Sequence, residues 1–242
     1  MWSETRRPGY LADVIGHTEV KERLTSYLST KPYTNTILLH GPPGIGKTTI
    51  ALASARTCGF EPLEINASQS MRSFEDVQKL IQTCKHTRSI VSLIRGIEKT
   101  TCLILDEVDG SDPHAQRKLA EWMVGPERTI PVIMTCNEVP RIFKNQSKIE
   151  PIRCFPPKPT ELSGLFSEHG QDIAKLAKRF KHDVRRILQF FQYGESDTLP
   201  TATLPSECSY EVGHILRQQI WNPTDPILEA NKKTSSETKP KV

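Results

Sequence analysis

The chain has 242 residues, 25% of them charged and 36% apolar, with a net charge of +4. That length holds one large domain or a medium one with a small companion, and no run approaches the roughly 18 apolar residues of a membrane-spanning helix. The mild positive excess suits a polyanionic partner without naming one. Six cysteines (Cys58, Cys84, Cys102, Cys136, Cys154 and Cys208) form no C-x-x-C pair, which argues against a zinc site or a redox motif. Several sit in apolar runs as small hydrophobes, which argues for a reducing, intracellular compartment. The opening Met-Trp-Ser-Glu-Thr-Arg-Arg-Pro lacks the apolar core of a secretory signal.

Val20, Leu24, Tyr27 and Leu28 recur at helical spacing and predict the first helix. Thr36-Ile37-Leu38-Leu39-His40 is a short apolar run of strand type, and Thr48 to Arg56, with Ala51, Ala53 and Ala55, is a good helix former. Between them stands Gly41-Pro42-Pro43-Gly44-Ile45-Gly46-Lys47-Thr48. This is the phosphate loop G-x-x-x-x-G-K-[ST], in the strand-before, helix-after context that its mechanism requires. Its glycines let backbone N–H groups turn inward around α- and β-phosphates, and the following helix presents its positive end. Lys47 reaches the β- and γ-phosphates as a point charge, the Thr48 hydroxyl is placed to hold Mg²⁺, and Thr49 follows at the helix start.

Further strands are predicted at 62–66, 101–106, 130–136 and 152–155, nearly continuous in apolar character, as strands buried on both faces are. Val77, Leu80 and Ile81 predict a helix starting near Ser73, and Asp112-Pro113 opens another through Leu119, Trp122 and Met123. Alternating strands and helices imply a parallel sheet covered on both faces, with binding at the carboxyl ends of the strands. Pro156-Pro157-Lys158-Pro159 breaks the pattern. Beyond it Ile173, Leu176, Ala177 and Phe180 make one apolar stripe, and Val184, Ile187, Leu188 and Phe191 another. The organisation read from this is a phosphate-loop domain at 1–157, a small helical domain at 158–195, and a remainder at 196–242. That remainder holds a Pro/Ser/Thr-rich linker at 198–209, a short helix at Tyr210 to Trp221, and a disordered basic tail carrying Lys232, Lys233, Lys239 and Lys241.

Leu103-Ile104-Leu105-Asp106-Glu107 is an apolar strand ending in adjacent acids. Behind a phosphate loop, Asp106 can hold Mg²⁺ opposite Thr48, and Glu107 can act as general base on the attacking water. Thr135-Cys136-Asn137 ends another strand. The Asn137 amide there either orients the water or bonds the γ-phosphate, or simply serves the turn that asparagine favours. His182-Asp183-Val184-Arg185-Arg186 opens a capped helix. By spacing alone Arg185 reads as part of a solvated basic face; a guanidinium there could also clamp the triphosphate.

Together these residues resemble the AAA+ ATPases, and within them the clamp-loader ATPases of the replication factor C type, above all the large subunit. Trp2-Ser3-Glu4-Thr5-Arg6-Arg7-Pro8 resembles that family's W-x-E-K-Y-R-P start, and Asp13-Val14-Ile15-Gly16-His17 its D-V-[VI]-G-[NQ] segment, which lines the adenine pocket through Val14 and Ile15. Glu64-Ile65-Asn66-Ala67-Ser68 is similar to its E-[LI]-N-A-S-D stretch, and Asp106-Glu107-Val108-Asp109-Gly110 matches the large-subunit form. The resemblance covers residues 2–195. It implies a five-stranded sheet ordered 5-1-4-3-2, flanked by helices and followed by a helical lid. Asn137 would then lie beside the γ-phosphate, and Arg185 would contact the nucleotide in a G-D-x-R motif whose glycine is His182. Arg153, in the stretch similar to S-R-C, would complete a neighbour's site, although Ile152 stands where the family has Ser.

The implied activity is ATP hydrolysis, with ATP and Mg²⁺ as cofactors, by a subunit that helps load a sliding DNA clamp onto primer–template DNA. The implied partners are the sliding clamp, small clamp-loader ATPase subunits in a hetero-oligomer, and primer–template DNA through its phosphates, with no membrane. Lys79, Lys85, Arg88, Arg117 and Lys118 are the DNA-contact candidates, and Ile90, Val91, Leu93 and Ile94 those for the clamp. The location would be the nucleus in a eukaryote or the replication site of a virus. The remainder after residue 195 is too short for the family's helical collar, which points to a ring formed differently or to a reduced member. The rival readings are a branch-migration or origin-licensing ATPase and a nucleotide-gated replisome module with little turnover.

Overall fold

A computed structural model describes residue 5 and residues 7–71, 73–86, 100–125, 128–163 and 173–193. The expected linker at 198–209, the helix at 210–221, the basic tail, most of the opening Trp-containing segment and the clamp candidates Ile90, Val91, Leu93 and Ile94 lie outside these residues.

Five parallel strands carry the architecture: β1 (Thr36–His40), β2 (Glu61–Asn66), β3 (Thr101–Asp106), β4 (Val132–Cys136) and β5 (Ile149–Arg153), in the order β2-β3-β4-β1-β5. This is the order that the resemblance implied. The central strands are apolar throughout because both of their faces are covered. Side chains alternate between the faces. Leu38, Leu103, Leu105, Val132 and Met134 join one apolar cluster, and Ile37, Leu39, Cys102, Ile104 and Ile133 join the other.

The helices in chain order are α1 (Thr18–Ser29), α2 (Lys47–Thr57), α3 (Ala67–Ser70), α4 (Phe74–His86), α5 (Pro113–Val124), α6 (Arg141–Lys144), α7 (Pro159–Ser163), α8 (Ile173–Arg179) and α9 (Val184–Tyr193). Val77 and Leu80 of α4, Leu119 and Met123 of α5 and Phe143 of α6 cover the first face. Leu24 and Leu28 of α1 with Ile50 and Leu52 of α2 cover the second. The start of α5 is fixed as its sequence suggests, with Pro113 at the first turn and the Asp112 carboxylate accepting from the His114 and Ala115 amides at 2.8 and 3.3 Å. Helices α7 to α9 gather around their own small cluster of Leu162, Ile173, Leu176, Ala177 and Ile187.

β2 begins one residue earlier than expected, at Glu61, and β5 and β4 differ by more, each for a physical reason. β5 occupies 149–153, not 152–155, and it is an edge strand with only Ile149 buried. Glu150 and Pro151 therefore cost it nothing in burial, and an edge tolerates the missing proline donor, but their polarity hides the strand from a hydrophobic pattern. β4 begins at Val132 and not at Ile130, after Pro131.

Candidate functional site

The carboxyl ends of β1, β3 and β4 lie side by side, and the loop from β1 to α2 wraps over them. Gly44 and Gly46 take φ of 72° and 98°, left-handed values that free the loop's amides to face inward. At Gly44 a side chain is excluded twice, because a Cβ would also fall 1.9 Å from the Asp183 carboxylate. The cradle therefore fits a phosphate chain in contact with bare backbone.

Lys47, at the first turn of α2, is only 8% exposed. Its ammonium donates to the carbonyls of Gly41 and Pro42, each at 2.8 Å, and to Asn137 Oδ1 at 3.0 Å. Burial pushes its pKa down, and Asp106 and Asp109 among its neighbours work in the opposite direction. Three neutral oxygens around an ammonium are an arrangement that incoming anionic oxygens can take over at a gain.

Asp106 closes β3. Its Oδ1 accepts from the Thr48 hydroxyl at 2.7 Å and from the Thr135 hydroxyl. Thr48 and Asp106 are hard oxygen donors on opposite walls of the cradle. That donor set fits Mg²⁺, which binds through one or two protein oxygens and completes its shell with phosphate and water. Among the described residues no group of three or more His, Cys, Asp or Glu side chains forms a separate metal site.

Glu107 follows in a left-handed conformation, φ 56°, which swings its exposed carboxylate away from the strand line. One oxygen accepts from Asn66 Nδ2 at 3.1 Å and from the Ser68 hydroxyl at 3.2 Å, and the Glu107 amide donates to Thr135 Oγ1 at 3.3 Å. Two neutral donors give this carboxylate a defined direction.

These side chains open into a cavity of 360 Å³. Val14, Ile15 and His17 form one wall, Leu162, Val184 and Leu188 another, and Arg185 reaches in from the first turn of α9. The His17 ring nitrogen Nε2 lies 2.9 Å from the Ile45 carbonyl, and burial pushes the imidazole pKa down. It therefore bonds as a neutral donor. The Val184 amide donates to the Gly44 carbonyl at 3.0 Å, tying α9 to the phosphate loop. Arg7 also lines the cavity, its Nε 3.4 Å from Thr49 Oγ1 and its guanidinium 3.6 Å from Glu64.

Pro43 to Thr49, Val14, Ile15, Asp106, Glu107, Asn137 and Arg185 all line this cavity, with Gly41 and Pro42 behind it, bonded to Lys47. Arg153 does not line it. It stands at the end of β5, exposed, with its guanidinium 5.1 Å from the Phe155 ring centre. Lys79 and Arg117 are exposed on α4 and α5, and Lys118 lies 3.5 Å from Glu121. Arg88 and the side chain of Lys85 fall outside the described residues. Arg7, His17, Asn66, Ser68 and Thr135 carried no assigned role in the sequence reading. All five sit inside the sequence stretches that carry the recognised motifs, which is the available signal.

Residues 37–153 match the family described as ATPase family associated with various cellular activities (AAA). The fold and the cradle agree with that match. The curated relatives that it resembles include replication factor C large subunits. It is 29% identical over 206 residues to the replication factor C large subunit of Thermococcus kodakarensis, covering 79% of this chain and 40% of that protein. With the Sulfolobus acidocaldarius large subunit it shares 38% over 146 residues, covering 57% of this chain and 31% of the relative. The chain thus spans less than half the length of these curated relatives. Among solved structures, the Thermotoga maritima RuvB Holliday junction branch migration motor superposes with a TM-score of 0.53 at 18% identity, covering 77% of this chain and 64% of that one, a likeness of fold.

Proposed function

We propose that this chain is an ATP-hydrolysing subunit of a clamp loader, which helps seat a sliding clamp on primer–template DNA. The observation that carries the enzymatic half is the convergence of Lys47, Thr48, Asp106, Glu107 and Asn137 on one phosphate cradle. The sequence relationship to replication factor C large subunits supports the clamp-loading half.

In this reading the glycine cradle takes the α- and β-phosphates on backbone amides, and Lys47 exchanges its carbonyl and Asn137 bonds for β- and γ-oxygens. Thr48 and Asp106 would hold Mg²⁺, which would offset charge on the phosphate oxygens. Water attacks the γ-phosphorus as the bond to the β,γ-bridging oxygen breaks; Glu107 accepts the water proton, and ADP leaves with the electron pair. Arg185 adds a guanidinium from the lid side to the charge balance around the triphosphate. Exposed basic residues such as Arg117 supply phosphate contacts to DNA. In this reading Arg153, exposed on the edge strand, would complete a neighbouring subunit's site.

Steady-state ATPase with and without primed DNA and clamp tests the proposal. Turnover that both partners stimulate and that Glu107→Gln abolishes supports it. Nucleotide binding without turnover replaces it with a gated binding module. Co-purification followed by mass measurement of the assembly checks for small ATPase subunits and a clamp.

A further inference from the structure

The left-handed turn at Glu107 ends β3 and folds residues 108–110 into a 3-10 turn. That turn brings Asp109 to the exit of β4. Its Oδ2 accepts from the Asn137 amide at 2.9 Å and from the Glu138 amide at 3.3 Å. These two amides follow the last residue of β4, where the strand ladder offers them no partner. The Asn137 side chain in turn accepts from Lys47 at 3.0 Å. A second tie crosses the same pair of strands one step back, where Thr135 bonds Asp106 and the Glu107 amide.

We propose that Asp109 is a positioning residue for the phosphate site: its carboxylate fixes the backbone of Asn137, and through it the amide that meets Lys47 and the γ-phosphate. The inference rests on the nucleotide reading of the cradle above. A carboxylate oxygen taking two backbone N–H groups makes charge-assisted bonds, and the loop it clamps is exposed on its other side. Without it, the two amides turn to water and the Asn137 side chain loses its fixed approach to Lys47. Asp109 also sits two residues after Glu107 on the same turn. The general base and the γ-phosphate contact therefore share one rigid frame across β3 and β4, and an error in one is an error in both.

The test uses the intact chain and four variants: Asp109→Ala, Asp109→Asn, Asn137→Ala and the double variant Asp109→Ala/Asn137→Ala. Dissociation constants for ADP and for ATPγS are measured beside steady-state turnover. Loss of the carboxylate leaves ADP affinity within about threefold, and weakens ATPγS and lowers kcat by about tenfold or more. Asp109→Asn, whose amide oxygen can accept the same two bonds, recovers most of both. In the double variant Asp109→Ala adds less than about threefold to the effect of Asn137→Ala, because the two act through one atom group. The proposal is overturned if the two single effects multiply, or if Asp109→Ala weakens ADP and ATPγS alike. Asp109→Ser, too short to reach the amides, is read by the same criteria should the alanine variant not fold. If the parent binds both nucleotides without turning ATP over, the hydrolysis reading fails while the ADP-to-ATPγS ratio still decides on Asp109. If the parent binds neither, both fall.

Discussion

The two ends of the same sheet use polar groups in opposite ways. At the amino end, buried Arg128 donates to Thr36 Oγ1 at 2.5 Å, to the Asn35 carbonyl at 2.8 Å and to the Tyr33 carbonyl. Beside it the Tyr27 hydroxyl donates to the Val132 carbonyl at 3.2 Å and accepts from the Val132 amide at 3.0 Å. These bonds tie α1 and the Arg128 segment to the first residues of β1 and β4, and most of their acceptors are backbone. At the carboxyl end Lys47, Thr48, Asp106, Glu107, Thr135 and Asn137 all line the cavity, and side-chain bonds join Lys47 to Asn137 and both Thr48 and Thr135 to Asp106. The bonds at the amino end join whole elements in the interior and are given up only by unfolding. A bond that faces the cavity can be exchanged for a ligand oxygen. One end is therefore a lock and the other a socket.

The sharpest way to break this contrast is Glu107→Gln. Glutamine still accepts from Asn66 and Ser68 but cannot take the water proton, so turnover falls by about 10³-fold while the urea midpoint stays at the parent value. Arg128→Ala does the reverse. It strands two carbonyls and a hydroxyl in the interior and lowers unfolding free energy by about 3 kcal/mol, read from urea denaturation, with nucleotide affinity intact in the folded fraction. Lys47→Ala weakens nucleotide binding by about 100-fold and leaves thermal unfolding in ligand-free buffer unchanged or raised, because a buried charge has gone. A large stability loss from Lys47→Ala would erase the distinction between the ends.

The smallest expected effect concerns alkali. Burial pushes the Tyr27 hydroxyl from 10.0 up to about 12 and the thiols of Cys136 and Cys154 from 9.0 up to about 12 and about 11. Between pH 9 and 12 the unfolded chain therefore loses protons that the folded one keeps, and stability falls as pH rises through that window. Tyr27→Phe costs about 1 kcal/mol at neutral pH and removes the part of the slope that begins at pH 10, measured by urea titrations across the range.

How much could be read in advance follows from distance along the chain. The glycine cradle, Lys47 and Thr48 are contiguous, and their geometry is local backbone conformation, so the motif and its flanks sufficed. Asp106, Glu107 and Asn137 were legible because each ends an apolar run, and strand ends are where a parallel sheet gathers its ligands. Asn66, Ser68, Thr135 and Asp109 were not, since each acts on a residue of another strand or its exit loop. Only the lateral order β2-β3-β4 makes them neighbours. Arg128 is a charged residue in a loop by any local rule, yet it is buried, because the carbonyls that receive it converge only when β1 is in place.

The amino-acid order by itself determined the phosphate cradle, the parallel α/β architecture and the identity of the acids at the strand ends, because these depend on short-range conformation and on apolar periodicity. Tertiary structure decided which side chain directs each of those groups. It set Asn66 and Ser68 on Glu107, Thr135 on Asp106, Asn137 on Lys47 and Asp109 behind Asn137. Hydrogen bonds act over about 3 Å, and residues far apart in sequence come that close only after the strands have taken their places in the sheet.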